Sequence, residues 1–398
     1  MAFPTTIGGG LTYLAAASQG RSRPYISSAG NVYLVFLTGT SNGVKVYKAT
    51  DPTDTFGLGV DTATLAGGRT GLGLCTFQDG DDIHIATQND SDDIYYHVFS
   101  MVNDQFDLNN EAVTSAAGTD VDADKAISIS LETDGSIIIF YQGASDNDMG
   151  QKERVDRAYK PFGGSWTVDQ AVDDGGKVNF FLGGIVRGEA DKFHLTYLSM
   201  ESGSEGLKHK SVQDVDGTLS SAESGVLTTS IASQFTAIQP VYYDDAGVER
   251  ITIFLQDVAN KMRNNEVDDD GSPSTVENTT EENIWITGEF SVCSAAVDQK
   301  RVWVIHSVNV ISAGEDQDVF TNSNDDSAGK DANDTEELDA VTCNLITSNI
   351  YQRGSDVVLA YVYDDAATIK YNEKILRSVE LAPGEFAFKP GRYRVFPD

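Results

Sequence analysis

One short apolar segment returns along this chain at intervals of about fifty residues. Each copy follows a polar turn, and the copies begin at positions 31, 82, 136, 192, 250, 301 and 356. They are Asn31–Leu37, Asp82–Gln88, Ser136–Gln142, Lys192–Leu198, Arg250–Gln256, Arg301–Ser307 and Asp356–Val362. A sequence period of this length is typical of folds that repeat one structural unit, so it limits the chain to few architectures.

The aligned copies share an alternating pattern. Their second position is Val, Ile or Phe in every copy, and their fourth is Leu, Ile or Val. Because alternate residues of a strand point to one face, this face is predicted to be buried in every copy. The third position is mixed and includes Tyr33, His84 and Trp303, so the other face is predicted to be largely buried against varying neighbours. A strand that is apolar on both faces belongs inside a stack of sheets.

The residues around each copy repeat as well. Another strand and a tight turn precede it, as in Ala126–Glu132 ahead of Asp134-Gly135, and Asp-Gly between apolar runs favours a hairpin. A more polar third strand follows each copy: Val44–Thr50, Ile94–Ser100, Glu153–Tyr159, Gly206–Val212, Lys261–Val267, Gln317–Ser323 and Thr368–Lys374. A fourth, weaker strand precedes the next unit, and helical periodicity is nearly absent.

Four antiparallel strands repeated seven times can close into a ring in which each sheet is covered on both faces. We therefore predict an all-β fold, a seven-bladed β-propeller over residues 19–377. A pair of β-sandwich domains is the alternative, and it explains the even period poorly. Leu11–Ala17 stands where the fourth strand of a preceding unit would lie. Residues 1–18 are thus predicted to close the ring as an N-terminal strand of the last blade, next to Thr368–Lys374.

The charge of the chain limits its partners. The 398 residues include 28 Lys and Arg against 61 Asp and Glu, a formal net charge of −33. A nucleic-acid-binding protein needs the opposite sign, so we expect no nucleic-acid partner, and an anionic membrane surface is disfavoured for the same reason. The acidic residues are spread along the whole chain, which favours adaptation to high salt; simple solubility is the alternative.

Salt is therefore predicted to stabilise this protein. Dialysis from molar to millimolar KCl should lower the melting temperature, because the Debye length grows from about 3 Å to tens of ångströms and repulsion between carboxylates returns. Calorimetry in the two buffers measures the shift. Equal melting temperatures would contradict adaptation to salt.

The start of the sequence lacks the features of a secretory signal. Met1–Gly20 contains no Lys or Arg, whereas a secretory signal needs a basic start before its apolar run, and no stretch approaches the length of a membrane span. We expect synthesis in a cytoplasm, no export by a signal peptide and no membrane insertion.

Cys75, Cys293 and Cys343 lie in apolar runs without paired spacing, which predicts buried thiols and no disulfide framework.

Alternating aspartates mark candidate cation sites. Asp120, Asp122 and Asp124 alternate within one predicted loop, and carboxylates that converge from a short loop are ligands that Ca²⁺ prefers. Similar sets occur at Asp214–Gly217 and Asp268–Gly271, and none completes a twelve-residue calcium loop. Solvated acidic loops are the alternative. No other cofactor is predicted.

Motifs of catalysis are missing from the sequence. It has no nucleophile elbow, no paired-histidine zinc motif and no phosphate loop. His84, His194 and His306 lie on different units, which would allow a metal at the axis of a ring, but their spacing favours packing between blades. We therefore expect a protein that is not an enzyme.

The propeller architecture resembles that of sialidases and related glycan-processing enzymes. Such enzymes use three arginines to hold a carboxylate, a tyrosine nucleophile with its glutamate, and an aspartate as acid and base. Arg23-Pro24 is similar to the start of their first arginine motif. Thr133-Asp134-Gly135 has the turn of their aspartate box but lacks its spacing and its tryptophan. The resemblance implies two alternative functions, a glycoside hydrolase and a lectin-like glycan-binding propeller.

In overall character the chain resembles a virion protein of a tailed virus, such as one that infects a halophilic archaeon. The resemblance rests on the acidic propeller, the start MAFPTTIGGG, the lack of a secretion signal and a short aromatic and basic tail, residues 378–398. It implies a non-catalytic structural or adhesion module in the virion, with loops at one end of the ring that bind a host surface glycan or protein. It also implies that the tail contacts other virion proteins. The docking residues would be Phe386, Phe388, Lys389, Arg392, Tyr393, Arg394 and Phe396.

Overall fold

The structure, a computed structural model, is built of β-strands. It describes residues 5–7, 23–38, 43–50, 56, 61–64, 71–89, 93–114, 127–143, 154–172, 179–180, 185–187, 193–199, 206–212, 224–227, 238–245, 248–256, 262–268, 290–294, 301–308, 318–325, 329–330, 335–338, 346–365 and 368–378. These residues contain no helix, and hence none that could span a membrane.

The strands of the described residues form seven antiparallel sheets, which we call blades 1 to 7 in chain order. Blade 1 contains β2 (Tyr25–Ile26), β3 (Val32–Thr38), β4 (Gly43–Ala49) and β5 (Asp61–Thr64). Blade 2 contains β6 (Gly71–Asp79), β7 (Asp82–Asn89), β8 (Ile94–Ser100) and β9 (Gln105–Ala112). Blade 3 contains β10 (Ile127–Leu131), β11 (Ile137–Gly143), β12 (Arg154–Lys160) and β13 (Thr167–Val172).

In the part of the chain that the structure describes, the remaining blades contain three to five strands. Blade 4 contains β14 (Asn179–Phe180), β15 (Ile185–Arg187), β16 (Phe193–Ser199), β17 (Gly206–Val212) and β18 (Ser224–Leu227). Blade 5 contains β19 (Ile238–Asp245), β20 (Val248–Gln256) and β21 (Met262–Asp268). Blade 6 contains β22 (Phe290–Ser294), β23 (Arg301–Val308), β24 (Asp318–Asp325), β25 (Gly329–Lys330) and β26 (Thr335–Leu338). Blade 7 contains β27 (Ile346–Arg353), β28 (Asp356–Asp365), β29 (Thr368–Ser378) and the N-terminal strand β1 (Thr5–Ile7).

The blades follow one another around a closed ring. Inner strands of successive blades touch: β6 contacts β10, β10 contacts β15, β15 contacts β19, β19 contacts β22, and β22 contacts β27. Blade 1 meets blade 2 through β3 and β6, and β27 contacts β2, which closes the circle. The prediction of an all-β propeller is confirmed, and no sandwich pair is needed to explain the strands.

The ring is closed by an N-terminal strand, as predicted, although the pairing residues differ from those expected. Thr5 pairs with Tyr371 and Ile7 with Ile369, so β1 takes the position of a fourth strand in blade 7. Ile7 also forms an isolated parallel bridge to Phe56, which follows β4 of blade 1. The expected segment, Leu11–Ala17, lies outside the described residues.

Strand β3 shows why the repeated segment is apolar on both faces. Val32, Leu34 and Phe36 belong to a buried cluster shared with blade 7, whereas Tyr33 and its alternating neighbours belong to one shared with blade 2. Each fully buried side chain of this size stabilises the fold by about 1.5–3 kcal/mol. Strand β11 divides in the same way, with Ile139 facing blade 2 and Phe140 facing blade 4.

Inner strands β2 and β6 run in the same direction. Successive residues of β2 contact successive residues of β6. The Tyr25 hydroxyl bonds Thr76 Oγ1 at 2.6 Å, and Gln78 Nε2 donates to Ile26 O at 2.7 Å. Beyond them, the turn after β2 contacts the turn after β6. The connections between the first and second strands, and between the third and fourth, therefore lie at one end of the ring. We call this end the turn face; its described turns are residues 27–31, 80–81, 101–104, 132–136, 161–166 and 354–355. The opposite end is the loop face.

Candidate functional site

The turn face has rigid local structure, as its turn in blade 3 shows. Glu132 N donates to Ser136 O at 2.8 Å, and Gly135 N donates to Glu132 O at 3.1 Å. The Asp134 carboxylate accepts a bond from Ser136 N at 2.7 Å. Gly135 has φ of 90°, a conformation that residues with a Cβ rarely adopt. The predicted Asp-Gly hairpin is confirmed, since β10 and β11 pair directly across it.

An aromatic ring is held in solvent beside this turn. Phe162 is 77% exposed, and its backbone N donates to Ser136 Oγ at 3.0 Å. The ring lies over Gly135, where an added Cβ would come within 2.9 Å of it. Gly164 N closes the same turn by donating to Pro161 O at 2.8 Å. An exposed ring fixed in this way loses little conformational entropy when a partner covers it.

The other exposed large apolar side chains of the described residues lie towards the same end of the ring. Val102 is 71% exposed in the turn between β8 and β9, and Val168 is 42% exposed at the start of β13. Ile375 is 57% exposed on β29 and pairs with Val358, close to the turn at 354–355. Among the residues whose burial the structure describes, the exposed large apolar side chains thus lie towards the turn face of blades 2, 3 and 7.

Carboxylates crowd around this apolar surface. Burial raises the pKa of Asp82, and the neighbouring Asp107, Asp79 and Asp81 raise it further. Asp81 accepts bonds from both the backbone N, at 2.6 Å, and the hydroxyl of Ser28 in blade 1. This corner of the turn face is thus strongly negative.

Cations on this side of the ring join neighbouring blades. Lys48 of blade 1 bonds Asp104 of blade 2 at 2.6 Å, and Tyr33 donates to the same carboxylate at 2.7 Å. Lys160 of blade 3 bonds Glu111 of blade 2 at 2.6 Å. Its ammonium also lies 5.7 Å from the Tyr96 ring and 5.6 Å from the Trp166 ring. These ammonium groups fasten blades to each other within an acidic molecule.

A tyrosine and glutamate network lies between blades 7 and 1. Tyr351 donates to Glu373 Oε1 at 2.8 Å and Tyr371 donates to it at 2.5 Å, and the two hydroxyls contact each other. Arg353 Nη1 donates to the same oxygen at 2.6 Å. Burial and the carboxylate raise the pKa of both tyrosines well above 10, so both hydroxyls stay protonated. A protonated hydroxyl buried between blades stabilises the ring and is not an activated nucleophile.

Buried histidines are bonded within the blades. His97 accepts a bond from Asn110 N at 3.2 Å, and its Nε2 lies 3.0 Å from Thr87 Oγ1. His194 and His209 stack and bond each other at 2.8 Å in blade 4. In the part of the chain that the structure describes, no group of three or more His, Cys, Asp or Glu could hold a metal. The described histidines therefore bond within their own blades, whereas the sequence favoured packing between blades for His84 and His194.

The buried histidines predict a loss of stability in mild acid. Burial lowers the pKa of His97 to about 4, so the folded state holds this ring neutral while the unfolded chain takes up a proton below pH 6.5. The contribution of neutral His97 to the free energy of unfolding is complete above pH 6.5. It is lost as the pH falls towards 4, by about 3 kcal/mol in total. Urea unfolding in molar KCl, which screens surface charge, measures this slope. His97→Gln should flatten the profile; an unchanged slope would rule out this cause.

Several residues singled out in the sequence lie outside the described residues. They are Asp120, Asp122, Asp124 and the tail residues Phe386, Phe388, Lys389, Arg392, Tyr393, Arg394 and Phe396. The cation site and the docking tail stay predictions. Arg23 lies two residues before β2, while Arg157 and Arg353 form ion pairs with Asp169 and Glu373. The sequence analysis missed Phe162, although an aromatic residue within Pro161–Gly164 is a visible signal of an exposed turn residue.

Comparison with known proteins identifies the fold. No family model matches the sequence, and no curated protein sequence matches it either. The WD40 domain of coronin from Toxoplasma gondii is similar in structure, with a TM-score of 0.58 and 7% identity over 95% of this chain and 86% of that one. NanB sialidase from Streptococcus pneumoniae covers 94% of this chain and 71% of its own length at 11% identity and a TM-score of 0.47. A PL25 ulvan lyase has 8% identity and a TM-score of 0.48, and the match covers 93% of this chain and 87% of the lyase.

These similarities correct one expectation. The sequence analysis predicted that the chain is not an enzyme, and that prediction is contradicted, because carbohydrate-active enzymes are among the propellers that it resembles in structure. The prediction rested on missing motifs, and a propeller places residues from distant blades together without a short motif. At these identities the similarity shows the fold alone: this chain is a β-propeller.

Proposed function

We propose that this chain is an adhesion propeller of a virus particle and that its loop face recognises a neutral glycan on the host surface. The observation that carries the proposal is the set of connections that the strand order brings together at the loop face. The described turns of the turn face are short and internally bonded. Segments 113–126, 144–153, 228–237 and 309–317 join strand ends at the loop face, and segments 50–60 and 213–223 join strand ends at the turn face.

The topology allows recognition at the loop face. Because each blade is antiparallel and the ring is closed, connections from different blades surround one shared area. Binding residues commonly lie on such connections, held in place by a rigid scaffold. Ligands larger than one sugar can then contact several blades at once.

The net charge selects the class of glycan. A chain of net charge −33 repels sulfated, sialylated and uronic polysaccharides at low ionic strength. A neutral polysaccharide meets no such barrier. The proposal therefore commits to neutral sugars and predicts that acidic ones bind weakly until salt screens the repulsion.

A polysaccharide panel tests this proposal. The full chain should bind at least one neutral polysaccharide in affinity electrophoresis or calorimetry, with a Kd on the order of 10 μM to 1 mM for a single chain. Release of reducing ends, measured in the same samples, would show that the bound glycan is also cleaved. Absence of binding to any neutral glycan, or stronger binding to anionic ones at low salt, would overturn the proposal.

Loop exchange locates the binding face. Replacing residues 144–153 by a two-residue Asn-Gly hairpin shortens one loop-face connection while it keeps β11 and β12 joined. This change should weaken glycan binding at unchanged melting temperature. The matched control is Phe162→Ser on the turn face, which should leave glycan binding as it is. The opposite result would move recognition to the turn face.

A further inference from the structure

We infer that the turn face of blades 2 and 3 binds the chain's own C-terminal tail, residues 379–398. The surface involved is the patch formed by Val102, Asp82, Asp107, Asp134 and Phe162, which we call the acidic–apolar patch. The sequence favours other virion proteins as partners of this tail. The turn face offers a nearer partner within the same chain.

The patch combines exposed apolar groups with negative charge. Val102 is 71% exposed and Phe162 is 77% exposed, and both stand on bonded turns. Burial raises the pKa of Asp82, and the nearby carboxylate of Asp107 raises it further. A partner suited to this surface carries aromatic rings together with cationic groups.

The tail has that composition. Residues 386–396 read FAFKPGRYRVF, with four aromatic side chains, three cations and no acidic residue. This is the only stretch of such composition in a chain with 61 acidic and 28 basic residues. Its rings can cover Phe162 and Val102, and Lys389, Arg392 and Arg394 can offset the crowded carboxylates.

The last strand of the ring, β29, ends at the turn face, the same end of the ring as the acidic–apolar patch. Ser378, the last residue of β29, pairs with Asp356, which directly follows the turn at 354–355. The tail therefore begins at the turn face. Its residues 379–398 can span up to roughly 65–70 Å when extended, against an expected radius of gyration of about 21 Å for a domain of this length. The tail can thus cross the face from blade 7 to blades 2 and 3.

Tethering favours this partner over a separate molecule. A segment joined to its binding site by a short linker has a local concentration in the millimolar range at that site, so modest contacts suffice for occupancy. A second copy or another protein must compete with that concentration. The inference does not depend on glycan recognition, which concerns the opposite face.

Photo-crosslinking in the full chain tests the inference. A benzoyl-phenylalanine placed at Phe388 should, on irradiation at low protein concentration, form crosslinks to residues 101–107 or 132–136 of the same chain, mapped by mass spectrometry. The double variant Val102→Ser, Phe162→Ser should reduce these crosslinks at least several-fold. Val168→Ser, which changes another exposed apolar residue outside the patch, should leave them unchanged.

Trypsin gives a second readout. Cleavage after Arg392 and Arg394 should become several-fold faster in the double variant and in molar salt, because both weaken the contact. Crosslinks between two chains would assign the patch to a second copy and overturn the inference. Crosslinks to the loop face, or cleavage rates equal in all variants, would overturn it as well.

Discussion

Deletion of residues 1–8 is expected to destabilise the whole ring by roughly 5 kcal/mol and to promote aggregation. Strand β1 covers the outer edge of β29 at Ile369–Tyr371. Ile7 is fully buried in the cluster that blades 7 and 1 share, beside Phe56 and Tyr371. Without β1, this cluster opens and a strand edge loses its partner, which is the feature that leads sheets to associate.

Denaturant unfolding and light scattering measure the two effects. Ile7→Ala should by itself cost about 2–5 kcal/mol, the usual loss for a buried aliphatic side chain that leaves a cavity. Val102→Ala is the matched control, since this side chain is 71% exposed and its truncation should change stability by less than about 0.5 kcal/mol. If the truncated chain unfolds at the same denaturant concentration as the full chain, β1 does not hold the ring closed.

The repeated apolar strands and the more polar third strands could both be predicted from the sequence. Ile94–Ser100 and Gly206–Val212 match β8 and β17 residue for residue. Asp82–Gln88 differs from β7 by one residue. In each case apolar residues with a period of two, bounded by turn residues, leave one register that buries the pattern.

The closing strand could be predicted in kind but not in position. Both Leu11–Ala17 and Thr5–Ile7 are short segments near the start of the chain, and local preference does not distinguish them. The choice depends on pairing with Ile369–Tyr371, more than 350 residues away. Pairing over such a distance is decided by tertiary contacts, which a local pattern does not contain.

The polar contacts between blades could not be read from the sequence. Lys160 and Glu111 meet because the third strand of one blade lies against the fourth strand of its neighbour. In a chain with 61 acidic residues, every cation has many candidate partners, so the pair is defined only by the geometry of the blade interface. The exposed ring of Phe162, in contrast, has a local signal, because it lies within the turn Pro161–Gly164.

Replacement of Glu373 by alanine is expected to destabilise the protein by about 3–5 kcal/mol, the usual cost when one partner is removed from a buried charged network. The carboxylate side chain is 2% exposed and accepts bonds from Tyr351, Tyr371 and Arg353. Its loss leaves the guanidinium of Arg353 without its counterion and both hydroxyls without their acceptor in the interface between blades 7 and 1.

Asp169→Ala provides a matched control for this prediction. Asp169 also bonds an arginine, with Arg157 Nε at 2.6 Å and Nη2 at 2.8 Å, but its side chain is 56% exposed. An exposed pair of this kind contributes about 0–1 kcal/mol, because water replaces much of what is lost. Urea unfolding of the two variants and the parent at one pH and salt concentration gives the comparison. Equal losses from Glu373→Ala and Asp169→Ala would show that the buried network does not hold blade 7 against blade 1.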